Sequence, residues 1–200
     1  MNRVFIDVET GGLDATRHDI VEVAWATDTG EPKRLVLPHR IERLDQDALE
    51  INGYFTRGVE AERHASAEQV CSLWLDLVGV TLVAANPSFD RLFLSTFFRR
   101  MNLEPEPWHY RSLDVESMAA VMFGEASPVG MKAIVSRLNS EYDAQVPEPD
   151  HSALGDVEAL RECVHFIEEW RTLVGKQNAH PVQDGRSGGK LPDHDREPIG

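Results

Sequence analysis

Cysteine, lysine and long apolar runs are all scarce in this 200-residue chain, and each shortage excludes something. Its two cysteines, Cys71 and Cys163, cannot build the disulfide framework of a small secreted scaffold. Both fall among the apolar positions of expected helices, where a reduced thiol packs as a small hydrophobe. No stretch approaches the roughly 20 apolar residues that span a bilayer, and Met1–Asp7 reaches a carboxylate after three apolar positions. A cytoplasmic or nucleoid-associated protein with no membrane partner is expected. Positive charge is also short: 20 Lys and Arg against 34 Asp and Glu leave a net charge of −14. That balance argues against a nucleic-acid binder held by a broad basic surface, but not against a nuclease whose cations screen the active site. The positive charge present is mostly arginine, which suits bidentate phosphate contacts at a few points, unless it is a simple compositional bias.

With 42% hydrophobic residues and no internal repeat, the chain suits one domain that buries roughly 70% of its unfolded surface. Residues 3–8, 19–28 and 33–38 read as strands, the last two joined through Asp28-Thr29-Gly30-Glu31-Pro32, and suggest an antiparallel meander. Ser66-Ala67-Glu68-Gln69 has the form of a capping box, and Val70, Leu73, Trp74, Leu77 and Val78 follow at helical spacing. Thr81–Ala85 reads as a buried strand, and Leu92, Phe93, Phe97 and Met101 mark the helix after it. Residues 111–114 suit a fifth, edge strand. Helices are expected near 115–123 and 130–139, with a long one over about 153–175. The period then stops, so the chain divides into a domain over 1–175 and a Gly/Pro-rich, charge-balanced tail over 176–200, expected to be disordered.

Three acidic blocks stand out along this framework. In Phe5-Ile6-Asp7-Val8-Glu9-Thr10, strand alternation puts Asp7 and Glu9 on one face and Ile6 and Val8 on the other. A D-x-E pair alone is usually a solvated strand face, but the turn Thr10-Gly11-Gly12-Leu13 follows, with backbone amides free to meet a ligand. In Asn86-Pro87-Ser88-Phe89-Asp90, the aspartate falls where open α/β folds place ligands, past a strand's carboxyl end, although it is also an ordinary partner for a helix N-terminus. In His151-Ser152-Ala153-Leu154-Gly155-Asp156, a loop histidine precedes a helix whose first turns carry the aspartate. Four carboxylates and a group that titrates near neutrality are what two-metal phosphodiester hydrolysis requires.

In order and local context the three blocks resemble the DnaQ-like DEDDh 3′→5′ exonuclease family, which includes proofreading epsilon-type subunits, RNase T and oligoribonuclease. The likeness runs from Val4 to about Leu173. It implies an α/β, ribonuclease H-like fold, a five-stranded mixed sheet flanked by helices. It also implies that Asp7, Glu9, Asp90 and Asp156 bind two divalent cations, Mg²⁺ or Mn²⁺, with Asp7 shared and Asp90 acting through water, and that His151 is the general base. Thr10 and Leu13 match positions that meet the 3′-terminal nucleotide, by a backbone contact and by wedging against its base; Asn86 and Phe89 match positions near the same pocket. The expected substrate is the 3′ end of single-stranded DNA or RNA, and some members act with a polymerase or as a homodimer. Leu44–Gly53 resembles a segment found in both the DNA and RNA branches. Trp108, His109, Tyr110 and Arg111 could form a stacking surface for single strands, or anchor the loop before the edge strand. A binding module without catalysis is the alternative from a different class.

Overall fold

The computed structural model describes residues 2–178, and all statements of absence refer to these residues. Its strands are β1 (Arg3–Thr10), β2 (Ile20–Ala26), β3 (Lys33–Val36), β4 (Thr81–Ala84) and β5 (Ser112–Asp114). They form one mixed sheet in the order β3-β2-β1-β4-β5. β1 pairs antiparallel with β2 and parallel with β4, and β4 pairs parallel with β5. The helices are α1 (Gln46–Ile51), α2 (Ala67–Asp76), α3 (Pro87–Arg100), α4 (Val115–Phe123), α5 (Met131–Tyr142) and α6 (Ala153–Asn178).

Strand alternation splits β1 between two cores. Val4, Ile6 and Val8 pack against Leu73 of α2 and Phe93, Leu94 and Phe97 of α3, while Phe5 packs on the opposite face with Val115, Ile134, Val157 and Val164. Asp7 and Glu9 continue the Phe5 face toward the carboxyl end of β1, under the start of α6. The sheet is therefore covered on both sides, and β1 and β4, central and buried, supply the edge from which the acidic groups project.

The expected capping box forms: the Ser66 hydroxyl accepts from the Gln69 amide at 3.3 Å, and the Gln69 side chain accepts from the Ser66 amide at 2.9 Å. The regular helix is shorter than its apolar period suggested, because Leu77 is already the cap and the chain turns at Gly79 with φ +70. Cys71 departs from expectation. Val70 and Leu73 define the buried face of α2, and the next residue after Val70 lies about 100° round the helix, so Cys71 is exposed. Cys163 is fully buried, and burial pushes its thiol up to about 12.

Trp108 is buried against Phe98, which makes it a loop anchor, whereas Tyr110 is exposed. In the last helix Ala153, Val157, Leu160, Val164 and Ile167 recur every three or four residues and form a buried stripe, with Trp170 packed at its edge. The helix reaches Asn178; of the tail expected over 176–200, residues 179–200 lie outside the described residues. No described helix is long and apolar enough to cross a membrane.

Candidate active site

The fold brings the three acidic blocks to one place. Ligand-competent atoms of Asp7, Glu9 and Asp156 all lie within 4.8 Å of one another. Asp7 and Glu9 come from adjacent same-face positions of β1, and Asp156 from the first turn of α6. Asp90, on the first turn of α3, reaches the same strand from the other side: its Oδ1 accepts from the Val8 amide at 3.2 Å, and it is buried.

His151 sits in the loop ahead of α6 with a left-handed backbone, φ +60, a conformation that histidine adopts more readily than most residues. Asp156 holds this loop. Its Oδ1 accepts from the amides of Asp150 at 3.0 Å and His151 at 3.2 Å, so histidine and aspartate are fixed together although a helical five-residue step would have parted them. The closeness explains Gly155: a Cβ there would overlap the Asp150 carboxylate, which itself accepts from the Ser152 amide at 2.9 Å. A glycine that costs helix propensity is required because the His151 loop folds back onto the helix.

Electrostatically the site is unfinished. Asp7 Oδ2 is buried with no hydrogen-bond partner, in a fold where nearly every other buried side-chain polar atom has one. Burial first, and then the charges of Asp90, Glu9 and Asp156, push the Asp7 carboxyl well above its usual range. Burial, with Asp156 and Glu22 nearby, raises Glu9 to about 8, and Arg57 opposes the rise. Burial raises Asp90 to about 7 and lifts Asp156 above the usual carboxylate range. Such a cluster favours a multivalent cation: hard oxygen donors, mutual repulsion and an oxygen left without a proton donor are what Mg²⁺ or Mn²⁺ relieves.

A pH dependence follows. The unfolded chain releases the protons of these carboxyls near their ordinary values of 3.8 to 4.5, whereas the folded chain keeps that of Asp90 until about 7 and that of Glu9 until about 8, and holds those of Asp7 and Asp156 above their ordinary range. The native state thus binds more protons over this window, and stability falls as pH rises. His39, whose burial lowers its pKa, acts in the opposite sense near neutrality but is one group against four. Metal-free protein is expected to melt at a lower temperature at pH 8 than at pH 5.5. Millimolar Mg²⁺ should raise the melting temperature most at pH 8, because binding displaces protons that are already leaving. Equal melting temperatures across this range in EDTA, by scanning calorimetry, would contradict the account.

Beside the acidic cluster runs an open groove of about 750 Å³, lined by Glu9, Thr10, Gly12, Leu13, Asp45 and Phe89, among others. Leu13 is 86% exposed at its rim, where its apolar side chain is open to a ligand in the groove. Phe89 lines the same groove, half-buried, its ring centroid 4.7 Å from that of Phe93. Asn86 is brought near but not in: it is exposed at the start of α3, its side chain makes no capping bond, and the groove is lined without it. Thr10 is held inward, its hydroxyl donating to the Gly12 carbonyl at 2.7 Å and its own carbonyl accepting from Asn52 at 3.3 Å. Gly12, at φ +153, leaves room for the His18 ring, which a Cβ would overlap.

One supporting network has no counterpart among the sequence motifs. Glu22 is fully buried directly across the sheet from Glu9, and its carboxylate is clasped by Arg34 and Arg57. Arg57 also donates to the Asn52 carbonyl at 2.8 Å, and Asn52 in turn holds Thr10. The guanidinium of Arg57 is thus the cation that α1 and the following turns deliver beside Glu9. Glu22 inside the apolar run Ile20–Ala26 is the one sequence signal that could have revealed it.

A family model described as an exonuclease of the RNase T type matches residues 4–163, most of the chain. The chain belongs to this exonuclease family. Membership makes it a metal-dependent 3′→5′ exonuclease. Among relatives of the family, ribonuclease T of Haemophilus ducreyi is 29% identical over 80% of this chain and 81% of its own length, and ribonuclease T of Vibrio cholerae is 26% identical over 94% and 91%. The fold matches E. coli exonuclease I in complex with single-stranded DNA, with TM-score 0.68 and 18% identity over 88% of this chain. The chain spans only about two fifths of exonuclease I, 42%. Exonuclease X bound to 5′-overhanging duplex DNA matches over 93% of its length, with TM-score 0.56 and 20% identity. These neighbours make the architecture ribonuclease H-like.

Proposed function

We propose that this exonuclease removes nucleoside 5′-monophosphates one at a time from the 3′ end of single-stranded nucleic acid, using Asp7, Glu9, Asp90, Asp156 and His151. The observation that carries the residue assignment is the unpartnered Asp7 Oδ2 within a triad of carboxylates at the end of a nucleotide-sized groove. Asp7, Glu9 and Asp156 would hold one divalent cation and Asp7 with Asp90 a second, Mg²⁺ or Mn²⁺; when bound they supply Lewis acidity and neutralise the scissile phosphate. Leu13 and Phe89 grip the terminal base by apolar contact and stacking. His151 takes the proton from the attacking water. The phosphorus–O3′ bond breaks, the shortened strand leaves with a protonated 3′ oxygen, and the terminal nucleotide carries the new oxygen as part of its 5′-phosphate. We assign the chemistry to a domain over residues 1–175 working in the cytoplasm.

RNA is the second substrate reading, favoured because the relatives that match along most of their length bear the name ribonuclease T. The fold match with exonuclease I on single-stranded DNA keeps DNA in play. Discrimination depends on contacts to the 2′-hydroxyl. The experiment is a digestion of 5′-labelled RNA and DNA of one sequence with Mg²⁺, Mn²⁺ or EDTA. Expected is a ladder shrinking from the 3′ end with either metal and none in EDTA, the faster strand naming the physiological class. Binding of both strands with no shortening in any metal would leave a binding module and overturn the proposal.

A further inference from the structure

Away from the acidic cluster, Arg40, Arg43 and Arg100 line a second cavity of about 310 Å³ together with Asp19, Phe97 and Met101. In a chain of net charge −14, three guanidiniums around one cavity form an unusual local balance. The single carboxylate of Asp19 offsets one of them. Its Oδ1 accepts from Arg43 Nε at 2.6 Å and from Arg100 Nη1 at 2.6 Å, and the two arginines are tied further to the carbonyls of Thr16, at 2.8 Å, and Ala15, at 3.2 Å. They are therefore fixed in place with donors to spare: Nη1 of Arg43 and Nε of Arg100 meet no partner among the described residues. Arg40 is exposed, and its guanidinium meets none at all. Clamping Asp19 accounts for Arg43 and Arg100 but not for Arg40, nor for the two positive charges left over.

The cavity and the groove at the acidic cluster are lined by near neighbours along the same two segments, with no residue in common. Asp14 and His18 line the groove and Asp19 the arginine cavity; Asp45 lines the groove and Arg43 the cavity. Both segments are pinned to the glycine turn, the Gly11 amide donating to the Asp19 backbone carbonyl at 2.9 Å and the Gly11 carbonyl accepting from the Asp45 amide at 2.7 Å. Along α3, Arg100 stands ten residues beyond Asp90, about 15 Å at the helical rise. Preorganised guanidiniums at this remove match an oxyanion with more than one acceptor oxygen on a flexible chain.

We propose that the Arg40–Arg43–Arg100 cavity is an upstream phosphate subsite, which receives a phosphodiester of the single strand on the 5′ side of the scissile linkage. This rests on the exonuclease reading above. It separates short from long substrates, because a dinucleotide has one phosphodiester, the scissile one, and nothing to place in the cavity.

The test compares wild type, Arg40→Glu and Arg40→Lys on a dinucleotide and on a single strand of about a dozen nucleotides. The Arg40 guanidinium has no partner among the described residues, and the bonds its backbone makes to Asp19 Oδ2, at 3.2 Å, and to the Arg43 amide, at 2.9 Å, survive either change of side chain, so its variants fold. Arg40→Glu should raise KM for the long strand by about 5- to 10-fold with kcat unchanged, leave the dinucleotide untouched, and flatten the salt dependence of long-strand KM by about 0.7 in log–log slope. Arg40→Lys should restore most of the loss. Equal effects on both substrates, or none on the long strand, would overturn the subsite. If wild type cleaves neither substrate, the exonuclease reading fails instead. Fluorescence anisotropy with the long strand then decides the cavity on its own, an unchanged Kd in Arg40→Glu counting against it.

Discussion

Asp7→Asn will lower kcat on a single strand by about 10⁴-fold or more and at the same time raise the melting temperature of the metal-free protein at pH 8. The two effects have one origin. At pH 8 the unfolded chain has released the Asp7 proton, so the folded chain must either bury that charge beside Asp90, Glu9 and Asp156 or take the proton back against the pH. Asparagine, nearly the same shape, does neither. Part of the gain is lost to the amide, which inherits the unpartnered position of Asp7 Oδ2, so the net stabilisation expected is about 1 kcal/mol. Millimolar Mg²⁺, which should raise the melting temperature of wild type, should barely move that of the variant. Calorimetry in EDTA and in Mg²⁺ beside single-turnover kinetics makes the distinction. A variant that loses both activity and stability would show Asp7 to be structural.

The residues that share one face of a strand, or recur on one helix face, were legible in the sequence because their spacing repeats. Asp7 and Glu9, two apart, had to share a face of β1, and the buried stripe of α6 could be read step by step. What brings β1, α3 and α6 to one point leaves no periodic trace, and the resemblance to the exonuclease family supplied it. The sequence was silent where a single side chain acts across a long separation: Arg57 reaches Glu22 from 35 residues away, and Asn52 reaches Thr10 from 42. No pattern announces such pairs, because each partner is ordinary in its own neighbourhood. Gly155, a poor helix former on the first turn of α6, has its reason only in three dimensions, where the Asp150 carboxylate leaves no room for a Cβ. Cys71 was misplaced since one residue of helix is enough to turn a side chain from core to solvent.

His151→Ala should lower kcat by on the order of 10²–10⁴ while KM and the fold remain. The geometry isolates the imidazole unusually well. What His151 gives to Asp156 is its backbone amide, at 3.2 Å, and that bond survives any change of side chain other than proline. Asp156 therefore stays where it is, and a lost rate cannot be charged to a displaced carboxylate. Comparison with His151→Gly sharpens the point. At φ +60 alanine is strained and glycine is not, so the two variants should differ in stability, glycine the more stable by up to about 1 kcal/mol. Their turnover should nevertheless fall together, because both remove the same proton acceptor. Free imidazole in the buffer should restore part of the rate to either variant and none to Asp7→Asn, whose defect is in ligation. If the glycine variant instead keeps near-wild-type turnover, the loop histidine is a structural residue and the proton must leave through another group or directly to solvent.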